Sequence, residues 1–254
     1  MNYKQLSEKF TTTIKGKASP IGIKLFTSRK DAEKLKIVPL EEQLALCQAM
    51  KLAAVYEKSR LVFFENVDAC VVGSYILGFG LPPEDIKDRW VAGFNYKPEI
   101  FEKLTSAIEA IPQKKYEAAI IAPLYEFERI KQKPEAVVIF INSAQAYLLL
   151  VGYFDAIGKK PYSTFNGHAA CEVIAAVANG KSPWLTIPCG GARSIADAQD
   201  DELWLGMKPE ELEAAIKRLE SVGSKYPAPL NQMLITPMNP KHPLTSLISR
   251  KLQQ

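Results

Sequence analysis

Residues 136–141, Ala-Val-Val-Ile-Phe-Ile, run without a polar interruption and stop at Asn142. A short apolar run rich in β-branched and aromatic residues predicts a strand buried on both faces. The following stretch, Ser143-Ala-Gln-Ala-Tyr-Leu-Leu-Leu-Val-Gly-Tyr-Phe, is apolar nearly all round and predicts a helix inside the protein. A doubly buried strand followed by a buried helix requires covering layers on both sides, so the chain is expected to be α/β or α+β.

The rest of the chain repeats that alternation. A helix over 1–17 precedes a strand over 20–26, and a polar connection over 27–40 leads to a helix over 40–56 with a wide apolar face. A strand over 60–65 follows, and Pro82-Pro-Glu-Asp marks a helix start with proline and acid in its first turn. A helix over 98–111, a strand over 118–124 and a short helix come before the 136–141 strand. Beyond it, residues 167–178 read as a helix stopped at Asn179-Gly180, 184–187 as a strand, 202–207 as a strand and 208–220 as an amphipathic helix. Residues 223–254 are proline-rich and polar and read as a surface tail.

The chemistry-bearing stretch is Trp184-Leu-Thr-Ile-Pro-Cys-Gly-Gly-Ala-Arg193. A cysteine, two glycines and an arginine stand where a strand ends and the chain turns, a usual position for chemistry on a rigid scaffold. The bland alternative is a turn beside a small buried cysteine. The first half of the chain carries a partial echo. A helix with Cys47, the strand Leu-Val-Phe-Phe, Cys70 and Leu77-Gly78 are matched by a helix with Cys171, the strand Trp-Leu-Thr-Ile, Cys189 and Leu205-Gly206. The echo predicts two pseudo-symmetric halves sharing one core, 1–115 and 116–222, with 223–254 as tail. Two such copies would bring four cysteines to one site.

With no apolar signal core at the N-terminus and no stretch of about 18 apolar residues, a cytoplasmic, membrane-free protein is expected. In that reducing setting cysteines are more often ligands or nucleophiles than disulfides. Four thiolates suit a soft metal or an iron–sulfur cluster. Their long spacings exclude a local zinc knuckle, so the tertiary fold would have to present them. The leading expectation is therefore a [4Fe-4S] cluster held by Cys47, Cys70, Cys171 and Cys189, serving electron transfer to a redox partner protein or redox chemistry on a small molecule. Zinc, or no metal at all, is the alternative cofactor state. Two rival functions stay open: a cofactor-free small-molecule binding protein, and a thiol enzyme using Cys189 as nucleophile. Whether the chain is an enzyme is open, as is association of two copies. Arg193, His168 and Gln145 are candidate substrate contacts. Arg193 has a structural alternative in pairing with Asp197, Asp200 or Asp201, and His168 in closing a helix start. The net charge of +4 comes from lysines spread along the chain, with no basic stripe, so nucleic acid is not an expected partner.

The motifs also carry a resemblance. Leu46-Cys-Gln48, Asp68-Ala-Cys70 with Gly73, Leu77-Gly78, Ala122-Pro-Leu124, Pro134 to Phe140 followed by Ala144-Gln-Ala146, Cys171, and Pro188-Cys-Gly-Gly-Ala-Arg193 with Asp201-Glu202 occur in an order that resembles domain of unknown function 169. The resemblance spans roughly 15–220 and departs at Glu135, where the family pattern has aspartate. It implies a common fold and the archaeal and anaerobic bacterial setting of that family. It implies no settled activity and no catalytic residues.

Overall fold

The structure is a computed structural model that describes residues 2–40, 43–63, 65, 67, 69–79, 97–165 and 167–222. Helix α1 (Tyr3–Ile14) starts where the Asn2 side chain accepts the Gln5 amide at 2.9 Å, and it ends at Lys15 in the left-handed region. Strand β1 (Ile21–Phe26), the short helix α2 (Arg29–Glu33), α3 (Leu46–Val55), β2 (Arg60–Val62) and α4 (Val71–Ile76) follow. A single 3-10 turn at Pro98–Ile100 leads into α5 (Phe101–Ala107), then β3 (Ala118–Pro123), α6 (Glu126–Ile130), β4 (Ala136–Asn142) and α7 (Ser143–Ile157). The remainder is β5 (Tyr162–Thr164), α8 (Glu172–Ala178), β6 (Trp184–Thr186), α9 (Gly190–Ile195), β7 (Glu202–Met207) and α10 (Pro209–Val222).

The strands form one seven-stranded sheet in the order β2-β3-β1-β4-β7-β6-β5. All neighbours are antiparallel except β5 and β6, so the sheet is mixed and the expected α/β class is what the chain adopts. The period-2 alternation of each strand sorts its side chains between two helical layers. Ile21, Ile23, Ala119, Ile121, Val138, Phe140 and Trp204 face one core, which packs against α3, α4, α8 and α9. Val137, Ile139, Ile141, Leu205 and Met207 face the opposite core under α1, α7 and α10, while Ala118, Ile120 and Ala122 pack with Phe127 of α6 and Ala32 of α2. At about 25 cal/mol per Å² of apolar surface removed from water, this double coverage is the main stabilising term. The 136–141 run is central because β4 touches both layers.

Several boundaries differ from those expected. The helix expected over 40–56 begins only at Leu46, because Leu40 is tied by its backbone to Leu61. The helix expected over 167–178 begins at Glu172, after a turn through His168 and Ala169. Helix α7 is not buried all round: Tyr147 and Phe154 are each 53% exposed, while Ala146, Leu149 and Tyr153 face inward. Strand β5 and helix α9 were not anticipated, α9 because two glycines open it and glycine is a poor helix former. The Pro82-Pro-Glu-Asp helix start and the 223–254 tail lie outside the described residues.

The pseudo-symmetric repeat expected from the internal echo is not confirmed by the fold. Outward from the β1–β4 junction the sheet reads β1-β3-β2 on one side and β4-β7-β6 on the other. The two Leu-Gly pairs, however, do not occupy matching places. Leu77 and Gly78 end α4, with Gly78 at φ +73, whereas Leu205 and Gly206 lie inside β7. A duplicated origin is not established by these elements.

Candidate functional site

The four cysteines line one small cavity on the α3/α4/α8/α9 face of the sheet, together with Leu46, Val72, Gly73, His168, Ala169 and Gly191. Each cysteine stands at a helix start. Cys47 is in the first turn of α3, where the Gln48 side chain accepts the Ala45 amide at 2.9 Å and fixes the chain's entry. Cys70, Cys171 and Cys189 directly precede α4, α8 and α9. Cys189 is further set by its carbonyl, which accepts the Arg193 amide at 3.0 Å and closes the first turn of α9. Two tight backbone approaches press these helices together. A Cβ on Gly73 of α4 would meet the Leu46 Cβ of α3 at 2.6 Å, and one on Gly206 of β7 would meet the Val173 carbonyl of α8 at 2.7 Å.

Helix starts and burial act on these thiols in opposite senses. The helix dipole favours an anion at the N-terminus by typically 0.3–1 kcal/mol, and burial disfavours it. Burial wins. It pushes Cys47 from the ordinary 9.0 up to about 12, which corresponds to about 4 kcal/mol against the thiolate. The neighbouring Cys189 and Cys70 add to that rise. Burial likewise raises Cys70, with the Val72 and Gly73 amides pulling partway back, and raises Cys171 well above the ordinary value. Cys47 and Cys171 are buried; Cys70 and Cys189 reach the surface in part. His168, on the cavity wall, has its pKa lowered by burial and is therefore the neutral imidazole at pH 7.

This arrangement corrects the leading expectation from the sequence. The thiols converge, but the described residues contain no group of three or more His, Cys, Asp or Glu placed to hold a metal ion. The cavity measures about 20 Å³, close to the space one water needs. A space of that size does not accommodate a four-iron cluster. An iron–sulfur electron-transfer role is withdrawn on these grounds.

The three candidate substrate contacts are scattered. His168 joins the thiol cavity. Arg193 does not: it is exposed on α9 with its guanidinium 3.4 Å from Asp200, one of its predicted acidic partners. Gln145 caps α7, exchanging hydrogen bonds with Asn142 and donating to the Lys15 carbonyl at 2.9 Å. It borders a different, polar cleft. The helix-start placement of Cys47 and Cys171 was missed in the sequence, where both read as mid-helix residues. The reciprocal Gln48 side chain three residues after Ala45 was the available signal for Cys47.

None of the helices in the described residues is long and apolar enough to cross a membrane. Among curated proteins the chain is 28% identical over 188 residues to uncharacterized protein MJ0308 of Methanocaldococcus jannaschii, a match covering 71% of this chain and 78% of that one. No solved structure matches it. The model of the family DUF169, described as "Uncharacterised ArCR, COG2043", matches residues 9–218, so the chain belongs to the domain of unknown function 169 family.

Proposed function

We propose that the protein is a thiol-dependent enzyme acting on a small electrophile, with Cys189 as nucleophile and His168 as the base that takes its proton. The observation that carries this reading is that Cys189 and His168 line the same cavity, with Cys189 partly exposed and the His168 pKa lowered by burial. In the attacking step a carbon–sulfur bond forms to the electrophilic carbon, the electron pair of that carbon's π bond or leaving-group bond moves onto the attached heteroatom, and the S–H bond breaks as the thiol proton passes to the His168 imidazole. Gly190 and Gly191 present no side chain over the sulfur; a Cβ on Gly191 would come into van der Waals contact with Cys189 Sγ at 3.9 Å, so glycine there leaves the thiol open to an incoming molecule. Cys47 and Cys171 are buried and held as neutral thiols, so they form the cavity's apolar floor and do not compete as nucleophiles.

The test is the pH dependence of iodoacetamide labelling at Cys189 in the wild type and in His168→Ala. Base assistance predicts a labelling rate that rises through the lowered His168 titration, and loss of that inflection in the variant. Identical profiles in the two proteins would remove His168 from the role. Labelling of Cys189 no faster than of an unfolded peptide would remove the nucleophile.

A further inference from the structure

Beside the thiol cavity, and separate from it, lies a larger cleft of about 210 Å³ bounded by the turn after α1, α3, the end of β4, the start of α7 and the loop from α9 to β7. Its floor is a preorganised ion pair. Lys51 Nζ lies 2.6 Å from Glu202 Oε2, with the two side chains only 12% and 9% exposed. Glu202 is fully engaged: Trp204 Nε1 donates to Oε1 at 2.7 Å, and Lys51 and the Gln199 amide approach Oε2. Lys51 is not. Of its three N–H donors, one goes to Glu202, while the ammonium sits 4.6 Å over the Phe140 ring. A buried ion pair is a costly feature for stability alone, and this one leaves donor capacity on a cleft wall.

The rim is charged in a particular way. Lys17 forms no ion pair among the described residues, and neither does Asp201. Asp197, held at φ +50, accepts from Gln199 Nε2 at 3.1 Å and keeps a second carboxylate oxygen for a ligand. With Lys51 neutralised by Glu202, the rim offers one cation against two carboxylates. A plain anion would meet net repulsion, and a plain cation would leave the Lys51 and Lys17 donors unused. We infer that this cleft binds a small zwitterion of the amino-acid class, its carboxylate toward Lys51 and Lys17 and its ammonium toward Asp197 and Asp201. Val55, Phe140 and Ile141 supply an apolar wall for a short side chain. The inference is independent of the thiol chemistry, since Cys189 does not border the cleft.

The test is isothermal titration calorimetry of the full chain with each standard amino acid, and with the decarboxylated amine and the N-acetylated acid of any that binds. At least one intact amino acid should bind, and each blocked analogue should bind at least about tenfold more weakly. The Asp197→Asn, Asp201→Asn double variant should lose at least about tenfold in affinity as well. Both positions are exposed and asparagine tolerates the left-handed backbone at 197, so its melting temperature should match the wild type. Absence of binding by every amino acid would overturn the inference. So would analogues that bind as well as the intact molecule, or a double variant with wild-type affinity.

Discussion

The two concavities share helix α3 and differ in almost everything else. Cys47 and Lys51 stand one turn apart on it, one lining the thiol cavity and the other the polar cleft. The thiol cavity is small and walled by apolar groups and thiols, and burial raises Cys47, Cys70 and Cys171 and lowers His168. The polar cleft is about ten times larger, and its buried Lys51 and Glu202 are of opposite charge type and face each other at 2.6 Å. The lesson is one of pairing. A buried ionisable group without an opposite charge gives up its ionisation, and one with a partner retains it at the risk of a large penalty if that partner is removed.

The largest effect should come from breaking the paired side. Lys51→Met leaves Glu202 buried without its cation and should cost about 3–5 kcal/mol, read as a lowered urea midpoint with unchanged slope. Adding Glu202→Gln should restore part of that loss. Equal costs for the single and double variants would mean that the pair is not electrostatically coupled.

The neutral side is sharpened by alkali. Between the ordinary 9.0 and about 12, the unfolded chain has lost the Cys47 proton while the folded chain still keeps it. The folded state then binds more protons, so stability is intact below pH 9 and falls as pH rises toward 12, by up to about 4 kcal/mol from Cys47 alone. The Cys47→Ala protein should show a shallower alkaline decline in urea titrations at successive pH values. Equal slopes would mean that Cys47 ionises as freely in the fold as out of it.

Smaller effects separate packing from chemistry. In Gly206→Ala the new Cβ would meet the Val173 carbonyl at 2.7 Å, forcing α8 and Cys171 away from the sheet at a cost of about 1–3 kcal/mol. Gly191→Ala meets nothing closer than 3.9 Å, so its thermal midpoint should stay within error of the wild type while Cys189 alkylation slows. A drop in midpoint comparable to that of Gly206→Ala would show that Gly191 is a packing residue.

How much of this was legible beforehand depended on the kind of signal. The strands at 21–26, 118–123 and 136–142 and helix α10 follow from apolar runs and a 3.6-residue period, which act locally. That the cysteines share a cavity was inferred from the echo between the halves, and the cavity does collect them. What they could hold was not legible. A four-thiol set reads the same in sequence whether its sulfurs surround a cluster or close on a void of about 20 Å³. That difference lies in the close approach of α4 to α3 at Gly73 and of β7 to α8 at Gly206, which are long-range contacts. The polar cleft was invisible for a similar reason. Lys51 and Glu202 are far apart in the chain, and Gln145 was singled out without the partners that place it there. Arg193 followed its structural alternative, since its acidic neighbour Asp200 lies only a few residues on and competes successfully for the guanidinium.

The central claim is that Cys189 is the reactive thiol of a cavity whose other cysteines are held neutral. It is tested most directly by brief iodoacetamide labelling of the native protein under reducing, anaerobic conditions, followed by peptide mapping of all four cysteines. The account predicts that Cys189 labels first, Cys70 more slowly, and Cys47 and Cys171 only after denaturation. Uniform protection of all four in the native state, or labelling of Cys47 or Cys171 ahead of Cys189, would contradict it.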